Sequence, residues 1–401
     1  MEIEALDDYF GYTEKGSSFE NEIRAGVATF LTMAYILVVN PAMLSLAGIP
    51  FDDALFATAL AAFIGCMVMG LWANLPFALA PGMGLNAFFV FGVVFTMGIG
   101  WELALAAVFV EGIFFLIISL PQVGWRSAMI NSIPKDLKIA TGAGIGTFLA
   151  IIGLREMGWI VDHPATLVSL GPTGGFFWNT AATGDGHMHG AIIAMVALLA
   201  IAVMLARGMK GAIIYGVLGA SIVGWLTSAY DPWLDNAAGL GTDGWVCIPL
   251  DGGGYLDPSC VYASAPALGD IFGFVGMPTQ SMGAFVGALG DIGSNLDTFI
   301  LVMVAFLFVD IFDTAGTLYS VGRQAGYVDE DDKLEKADEA FMADAAATIV
   351  GAALGTSTTT TYIESAAGIE EGGKTGLVAV TVGVLMLSGL FLAGLFKAIP
   401  Q

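Results

Sequence analysis

The chain of 401 residues is poor in the side chains that most enzymes and metal centres use, with three cysteines, three histidines and only 13 lysines and arginines. No cysteine, histidine or carboxylate set stands at strong metal-ligand spacing, and neither a metal nor another cofactor is expected. His163, His187 and His189 share one polar stretch, where His187-x-His189 reads as solvated loop rather than ligand pair. Cys66 lies in an apolar run and reads as packing; Cys247 and Cys260 share a long loop in which a disulfide is one open alternative. The shortage of basic residues against 36 acidic ones excludes a nucleic-acid footprint. Charged residues make up only 12% of the chain, where a soluble domain carries about 25%. The polar, acidic stretch from Met1 to Glu20 has no secretory-signal pattern, so the first apolar segment is expected to be the first span.

What the chain has is hydrophobic length: 57% of its residues are apolar. Apolar segments fall near 22–46, 54–73, 77–96, 101–120, 137–154, 188–206, 212–228, 297–320, 340–354, 356–368 and 376–395. About 20 residues cross a bilayer as helix, so the chain reads as an all-α polytopic membrane protein embedded in lipid. With the N-terminus inside and alternating spans, Lys15, Arg24, Arg126, Lys135, Lys138, Arg207, Lys210, Arg323, Lys333, Lys336 and Lys374 all fall inside, and only Arg155 and Lys397 outside. The formal charge of −23 is carried by acids at the ends and loops, such as Glu2, Glu4, Asp7, Asp8, Asp52, Asp53 and Asp329 to Asp332. A solvated acidic shell suited to high salt, and hence a halophilic source, is the preferred reading over an ordinary acidic protein.

Seven spans precede the long loop 229–296, whose stretch 268–289 reads as interfacial, so a second set starting at 297 runs inverted to the first. That is the arithmetic of an inverted repeat. The segments at 77–96 and 340–368 are interrupted by Gly, Pro and Thr. Broken segments at matched positions point to a solute site at the membrane midplane.

The chemistry-bearing residues gather there. Gly355-Thr-Ser-Thr-Thr-Thr-Thr-Tyr-Ile-Glu364-Ser365 puts a hydroxyl run at membrane depth, with Thr360 and Thr361 candidate substrate contacts, where β-branched residues favour extended backbone. Glu364 reads either as a helix-start acceptor of backbone N–H groups or as a clamp on a ring N–H pair of a solute. Asp310 and Asp313, three apart, lie on one helix face, and carboxylates at that depth suit proton binding and release. Asp344 reads equally as an interfacial helix-start residue and as part of proton coupling. Asn86, after Pro81-Gly82-Met83-Gly84, offers donors and acceptors to a heteroaromatic edge, or caps the helix that resumes at Ala87. Phe88 and Phe89 read as packing before ligand stacking. Asn40-Pro41 and Asn74 with Pro76 read as helix ends, and Glu370-Glu371 as a solvated turn.

Phe30-Leu-Thr-Met-Ala-Tyr-Ile-Leu-Val-Val-Asn-Pro41, Ala80-Pro-Gly-Met-Gly-Leu-Asn-Ala-Phe-Phe89, Phe308-Val-Asp-Ile-Phe-Asp-Thr-Ala-Gly-Thr317 and the Gly355 to Gly368 motif together resemble the AzgA-like purine permeases of the nucleobase:cation symporter superfamily. The resemblance implies fourteen segments in two inverted repeats of seven, with short antiparallel strands in segments 3 and 10. It implies core segments 1–4 at 22–120 and 8–11 at 297–395, with gate segments 5–7 at 121–228. It further implies proton-coupled import of adenine, guanine or hypoxanthine, with binding positions at Asn86, Asp310 or Asp313, and Glu364. Asp310 is then the closer candidate for purine contact and Asp313 aligns with the acidic motif of uracil permeases. Family members often pair through the gate, so a homodimer is a further expectation. The sequence ends at Gln401, after segment 11, and gate segments 12–14 are expected to be absent.

Other readings stand beside this one. A uracil or xanthine permease and an anion carrier of the same fold remain alternatives, although three site carboxylates would repel an anion. An intramembrane aspartyl protease needs its two acids on separate helices, whereas Asp310 and Asp313 share one.

Overall fold

The computed structural model describes residues 4–120, 190–209, 211–227, 271–290, 296–329 and 334–399 without interruption, with parts of 122–188 and of 249–292. The disulfide reading for Cys247 and Cys260 and the pair His187-x-His189 fall wholly or partly outside the described residues. Among the described residues, four helices are long and apolar enough to cross a membrane: Phe19–Leu46, Phe51–Ala73, Trp101–Ser119 and Leu296–Ala325. The chain divides into two compact units, one of residues 1–145 and 275–391, the other of 146–274 and 392–401.

The first unit carries the broken segments. Its opening span is two helices, Phe19–Met33 and Ile36–Leu46. Ser18 starts the first by accepting from the Asn21 N–H at 3.3 Å. Pro41 lies inside the second helix and not at its end as read from sequence. The break falls instead at Ala34–Tyr35, five or more residues earlier. The next span, Phe51–Val68, continues as a π-helical turn Met69–Ala73 and is stopped by Asn74 in the left-handed conformation, φ 51°. Asn74 then bridges its neighbours, accepting from Gly376 N–H at 2.8 Å and donating to Phe10 O at 2.9 Å.

Segment 77–96 is strand Leu79–Pro81, helix Met83–Ala87 and π-helix Phe88–Thr96. Helix Ala337–Leu354 ends at Gly355, φ +102°, a backbone that side-chain-bearing residues avoid. The chain thereby leaves the helix and extends into strand Thr359–Thr361 before helix Ser365–Glu370. The two strands pair antiparallel, Leu79 opposite Thr361, Ala80 opposite Thr360 and Pro81 opposite Thr359. The ladder is extended at both ends, by Gly82 N–H to Thr358 O and Tyr362 N–H to Ala78 O, each 2.9 Å. Every residue of both strands is buried, so the main-chain groups satisfy one another where lipid could not.

Two acids read as solvated, Asp53 in the acidic shell and Glu371 in a turn, are buried instead. Asp53 is 6% exposed and accepts from the backbone N–H groups of Thr279, Gln280 and Ser281 at 2.8–3.3 Å. Stretch 275–290 is thus tied into the first unit, and Phe285 stacks on Phe109 with centroids 4.1 Å apart. Glu371 is 8% exposed and pairs with Arg24 at 3.1 Å rather than standing in a solvated turn. The second unit, taken alone, contains helices Gly190–Ala206 and Ala212–Thr227, packed together, and the hairpin Ile160–His163 with Leu167–Leu170.

Candidate functional site

The strand pair is framed by side chains that reach it from five segments. Asn86 is buried and its Oδ1 accepts from the Ser357 hydroxyl, which ties the first broken segment to the second. Its amide nitrogen lies 3.5 Å from Pro81 O. The Tyr362 hydroxyl donates to the same carbonyl at 2.5 Å. Asn40, read as a helix end, is a buried cross-brace that donates to Thr58 Oγ1 at 2.7 Å and Thr356 Oγ1 at 3.0 Å. Phe89 is buried and, with Phe88, packs on Phe306.

Part of the hydroxyl run is engaged within the protein, while the buried hydroxyls of Thr358 and Thr359 have no partner among the described residues. Thr360 Oγ1 and Thr314 Oγ1 share a hydrogen bond of 2.9 Å. Thr361 donates to Asp344 Oδ1 at 2.8 Å, and Thr314 to Asp344 Oδ2 at 2.5 Å. Thr348 donates to Thr359 O at 2.9 Å. Asp344 is therefore no interfacial helix-start residue: it is fully buried in the second turn of its helix, where two hydroxyl donors serve its carboxylate.

The remaining acids separate into two environments. Asp313 and Glu364 are partly exposed. Glu364 occupies the N-cap position of helix Ser365–Glu370 without capping it, so the helix-start reading does not hold; it accepts instead from the Tyr35 hydroxyl at 2.8 Å. Tyr35 is the residue at which the first span breaks. Asp313 borders the strand pair at Gly82, where a Cβ would stand 3.8 Å from Asp313 Oδ2. Gly82 is required sterically, because the same Cβ would lie 2.6 Å from Thr360 Cγ2.

Asp310, by contrast, is fully buried and turned away from this half-open edge. Its Oδ1 is 3.5 Å from the Thr314 hydroxyl, and it faces Glu111 of helix Trp101–Ser119. Glu111 is equally buried, and sequence reasoning passed over it. The signal was present: a lone carboxylate in the middle of an apolar span is functional by default. Gly112 beside it lets the helix approach Thr348 and Ile349 closely, since a Cβ there would stand 2.9 Å from Ile349 Cγ1. Tyr35 and Thr314 were missed too, hidden in apolar and acidic motifs that explained themselves without them.

A half-open edge with two acceptors, Asp313 and Glu364, suits a neutral, flat solute that presents N–H groups, held beside a rigid two-strand platform. None of this chemistry breaks a covalent bond. A family model for xanthine/uracil permeases, described as Permease family, matches residues 260–401. A putative permease of Methanocaldococcus jannaschii, MJ0326, is 40% identical over 400 residues, 100% of this chain and 79% of the relative. The guanine/hypoxanthine permease PbuG of Bacillus subtilis is 37% identical across 99% of this chain and 80% of its own. The adenine permease AdeP of Escherichia coli is 34% identical across 98% and 76%. Among solved structures, the transmembrane domain of the cyanobacterial bicarbonate transporter BicA superposes with a TM-score of 0.58 at 13% identity, covering 95% of this chain and 85% of that one. SLC26A9 follows at 0.53, with 95% and 55% covered. These two share the fold. The chain is a multi-pass membrane transporter, not an enzyme, and belongs to the xanthine/uracil permease family.

Proposed function

We propose that this permease imports purine nucleobases, adenine, guanine or hypoxanthine, by proton symport across the cell membrane, with its N-terminus in the cytoplasm. The observation that carries the reading is the pair of partly exposed acceptors, Asp313 and Glu364, set against the buried strand pair. The names of the relatives, permeases of guanine and hypoxanthine and of adenine, point the same way. A purine offers ring N–H groups in a plane. Glu364, oriented by Tyr35, accepts from one edge of the base, and Asp313 from another. Thr360, Thr361 and Asn86 serve the site by fixing the strands, because their polar atoms are engaged within the protein. Of the two aspartates, Asp313 is the substrate contact and Asp310 belongs to proton coupling, beside Asp344 as a fixed anion. Two copies pair as a homodimer in this reading, which the mass of the detergent-purified protein tests by light scattering.

The transport test is uptake of radiolabelled hypoxanthine, adenine and guanine by cells lacking their own purine permeases, with and without an imposed pH gradient. Uptake is expected to follow the inward proton gradient and to be lost in Glu364→Gln and Asp313→Asn. Uptake unchanged in Glu364→Gln would overturn the assignment of the site.

A further inference from the structure

Three carboxyl groups from three helices meet in the interior of the first unit: Glu111, Asp310 and Asp344, each with no exposed surface. Asp344 is fully served as an anion, with one hydroxyl donor on each oxygen. The other two are not. Among the described residues, Asp310 Oδ2 and both oxygens of Glu111 meet no donor, although Glu111 and Asp310 face each other. Two carboxylates have only acceptor atoms, so neither can satisfy the other while both are charged. Buried polar atoms without partners are rare enough to need a cause.

Among the described residues, no cation supplies that cause. Helices Trp101–Ser119 and Ala337–Leu354 contain no Lys, Arg or His. Helix Leu296–Ala325 has only Arg323, 13 residues beyond Asp310 and so about 20 Å along the axis. The other elements packed on the Glu111 helix, Phe88–Thr96 and Ala284–Leu289, carry no titratable group. The charges that face the pair are all acidic: Asp344 across the helix contact and Asp313 on the next turn, itself near Glu364.

A single proton between the two carboxyls bridges two of these three oxygens and lifts the mutual repulsion of the pair. Placed on either carboxyl, it makes an O–H donor to the other, removes one buried charge and leaves Asp344 as the anion that its hydroxyls already serve. The geometry points to Glu111 and Asp310 as a proton-sharing acid pair, separate from the substrate-facing Asp313 and Glu364, that binds and releases the proton moved in each transport cycle. The balance is simple. The resting pair holds one proton and one negative charge; a second proton from the outer medium neutralises it, and the same proton leaves to the inner medium, with no other bond made or broken. Thr314, hydrogen-bonded to Thr360 and within 3.5 Å of Asp310, links the pair to the strand platform. Glu111 is thus a coupling residue that never touches substrate. Its assignment to the transport cycle rests on the proton-symport reading above; the shared proton itself does not.

Glu111→Gln discriminates this from a packing role. Glutamine is nearly isosteric and its amide donates to Asp310, so a structural residue would tolerate it. With a shared proton, the infrared spectrum of the purified wild type holds a protonated-carboxyl C=O band at neutral pH, and the band is lost or shifted in Glu111→Gln and in Asp310→Asn. In proteoliposomes, Glu111→Gln is expected to bind hypoxanthine as wild type does, to lose proton-driven accumulation and to flatten the pH profile of uptake; Glu111→Asp restores part of both. Absence of the band from wild type, or a Glu111→Gln protein with wild-type accumulation and pH profile, overturns the proposal. Because the wild-type spectrum needs neither variant to fold, absence of the band from it overturns the proposal by itself. If wild type moves no purine yet shows a band that Glu111→Gln and Asp310→Asn remove or shift, the substrate reading fails while the acid pair stands.

Discussion

Gly82 offers the sharpest test of the strand platform. Its backbone, φ −72° and ψ 123°, is open to any residue, so Gly82→Ala acts through its methyl group alone. That Cβ falls 2.6 Å from Thr360 Cγ2 and 3.3 Å from Leu85 Cδ1. Carbon atoms rest at about 3.5–4.0 Å, so the Thr360 contact is short by about 1 Å. The Leu85 methyl can rotate aside. Thr360 cannot easily do so, because its hydroxyl is held by Thr314 and its backbone is paired with Ala80. Overpacking of this kind costs about 1–3 kcal/mol. If that cost falls on the strand arrangement that binds substrate, Vmax/KM for hypoxanthine drops by about 5- to 150-fold.

Saturation kinetics of labelled hypoxanthine uptake, with transporter abundance at the membrane as the reference, measure the drop. Thr360→Ser supplies the control. It removes Cγ2 and keeps the Oγ1 that binds Thr314, so the Gly82→Ala/Thr360→Ser protein should recover most of the loss. Sites in contact show such coupling, and distant ones do not. Wild-type kinetics in Gly82→Ala, or a double variant no better than the single, would refute the claim that the 2.6 Å approach of these strands is what glycine permits.

Other consequences follow from buried polar groups and from charge. Asp53→Ala leaves the N–H groups of residues 279–281 without their acceptor, at about 1–3 kcal/mol for the buried Ser281 donor and less for the exposed Thr279 and Gln280, which water can reach; the melting temperature in detergent should fall while the KM of surviving protein is retained. Tyr35→Phe removes the 2.8 Å hydrogen bond that orients Glu364; bonds to charged groups are worth about 1.5–3 kcal/mol, so KM should rise about tenfold or more and the melting temperature in detergent should fall. The charge of −23 predicts salt-dependent stability. Screening shortens the reach of repulsion from about 10 Å at 0.1 M salt to about 3 Å at 1 M, so the melting temperature should climb across that range, and a flat response would count against a halophilic source.

Much of the site was legible because lipid makes polar runs conspicuous. The Thr356–Thr361 stretch could not remain helix, and Gly355 marks where the helix ends. The matched break at Leu79–Pro81 was legible for the same reason, and the two do pair. Less legible was what each hydroxyl bonds to. A threonine at membrane depth looks the same in sequence whether it faces solute or a buried aspartate, and only tertiary contact decides. Asp53 and Glu371 were misplaced because an acid beside a helix end is usually solvated; here the acid caps a distant backbone turn or meets Arg24. Pro41 was misread because proline usually terminates helices, yet the opening span breaks at Ala34–Tyr35 instead.

The aspartate pair shows why spacing alone misleads. Residues three apart are neighbours on a helix, but they are still offset by about 60° around the axis. On a helix that separates a half-open edge from a dry interior, that offset is enough to divide them. Asp313 borders Gly82 and retains partial exposure, whereas Asp310 turns with Thr314 toward Glu111 and Asp344. In the proposed reading the two aspartates therefore serve different roles: Asp313 is an acceptor for solute on one side, and Asp310 on the other is a carboxyl that needs a proton from elsewhere. Glu111 completes the second side from a different helix. No motif linking residues 310 and 313 could have revealed it, because its partner lies some 200 positions away in the chain and is brought near only by the packing of helix 101–119 on helix 296–325.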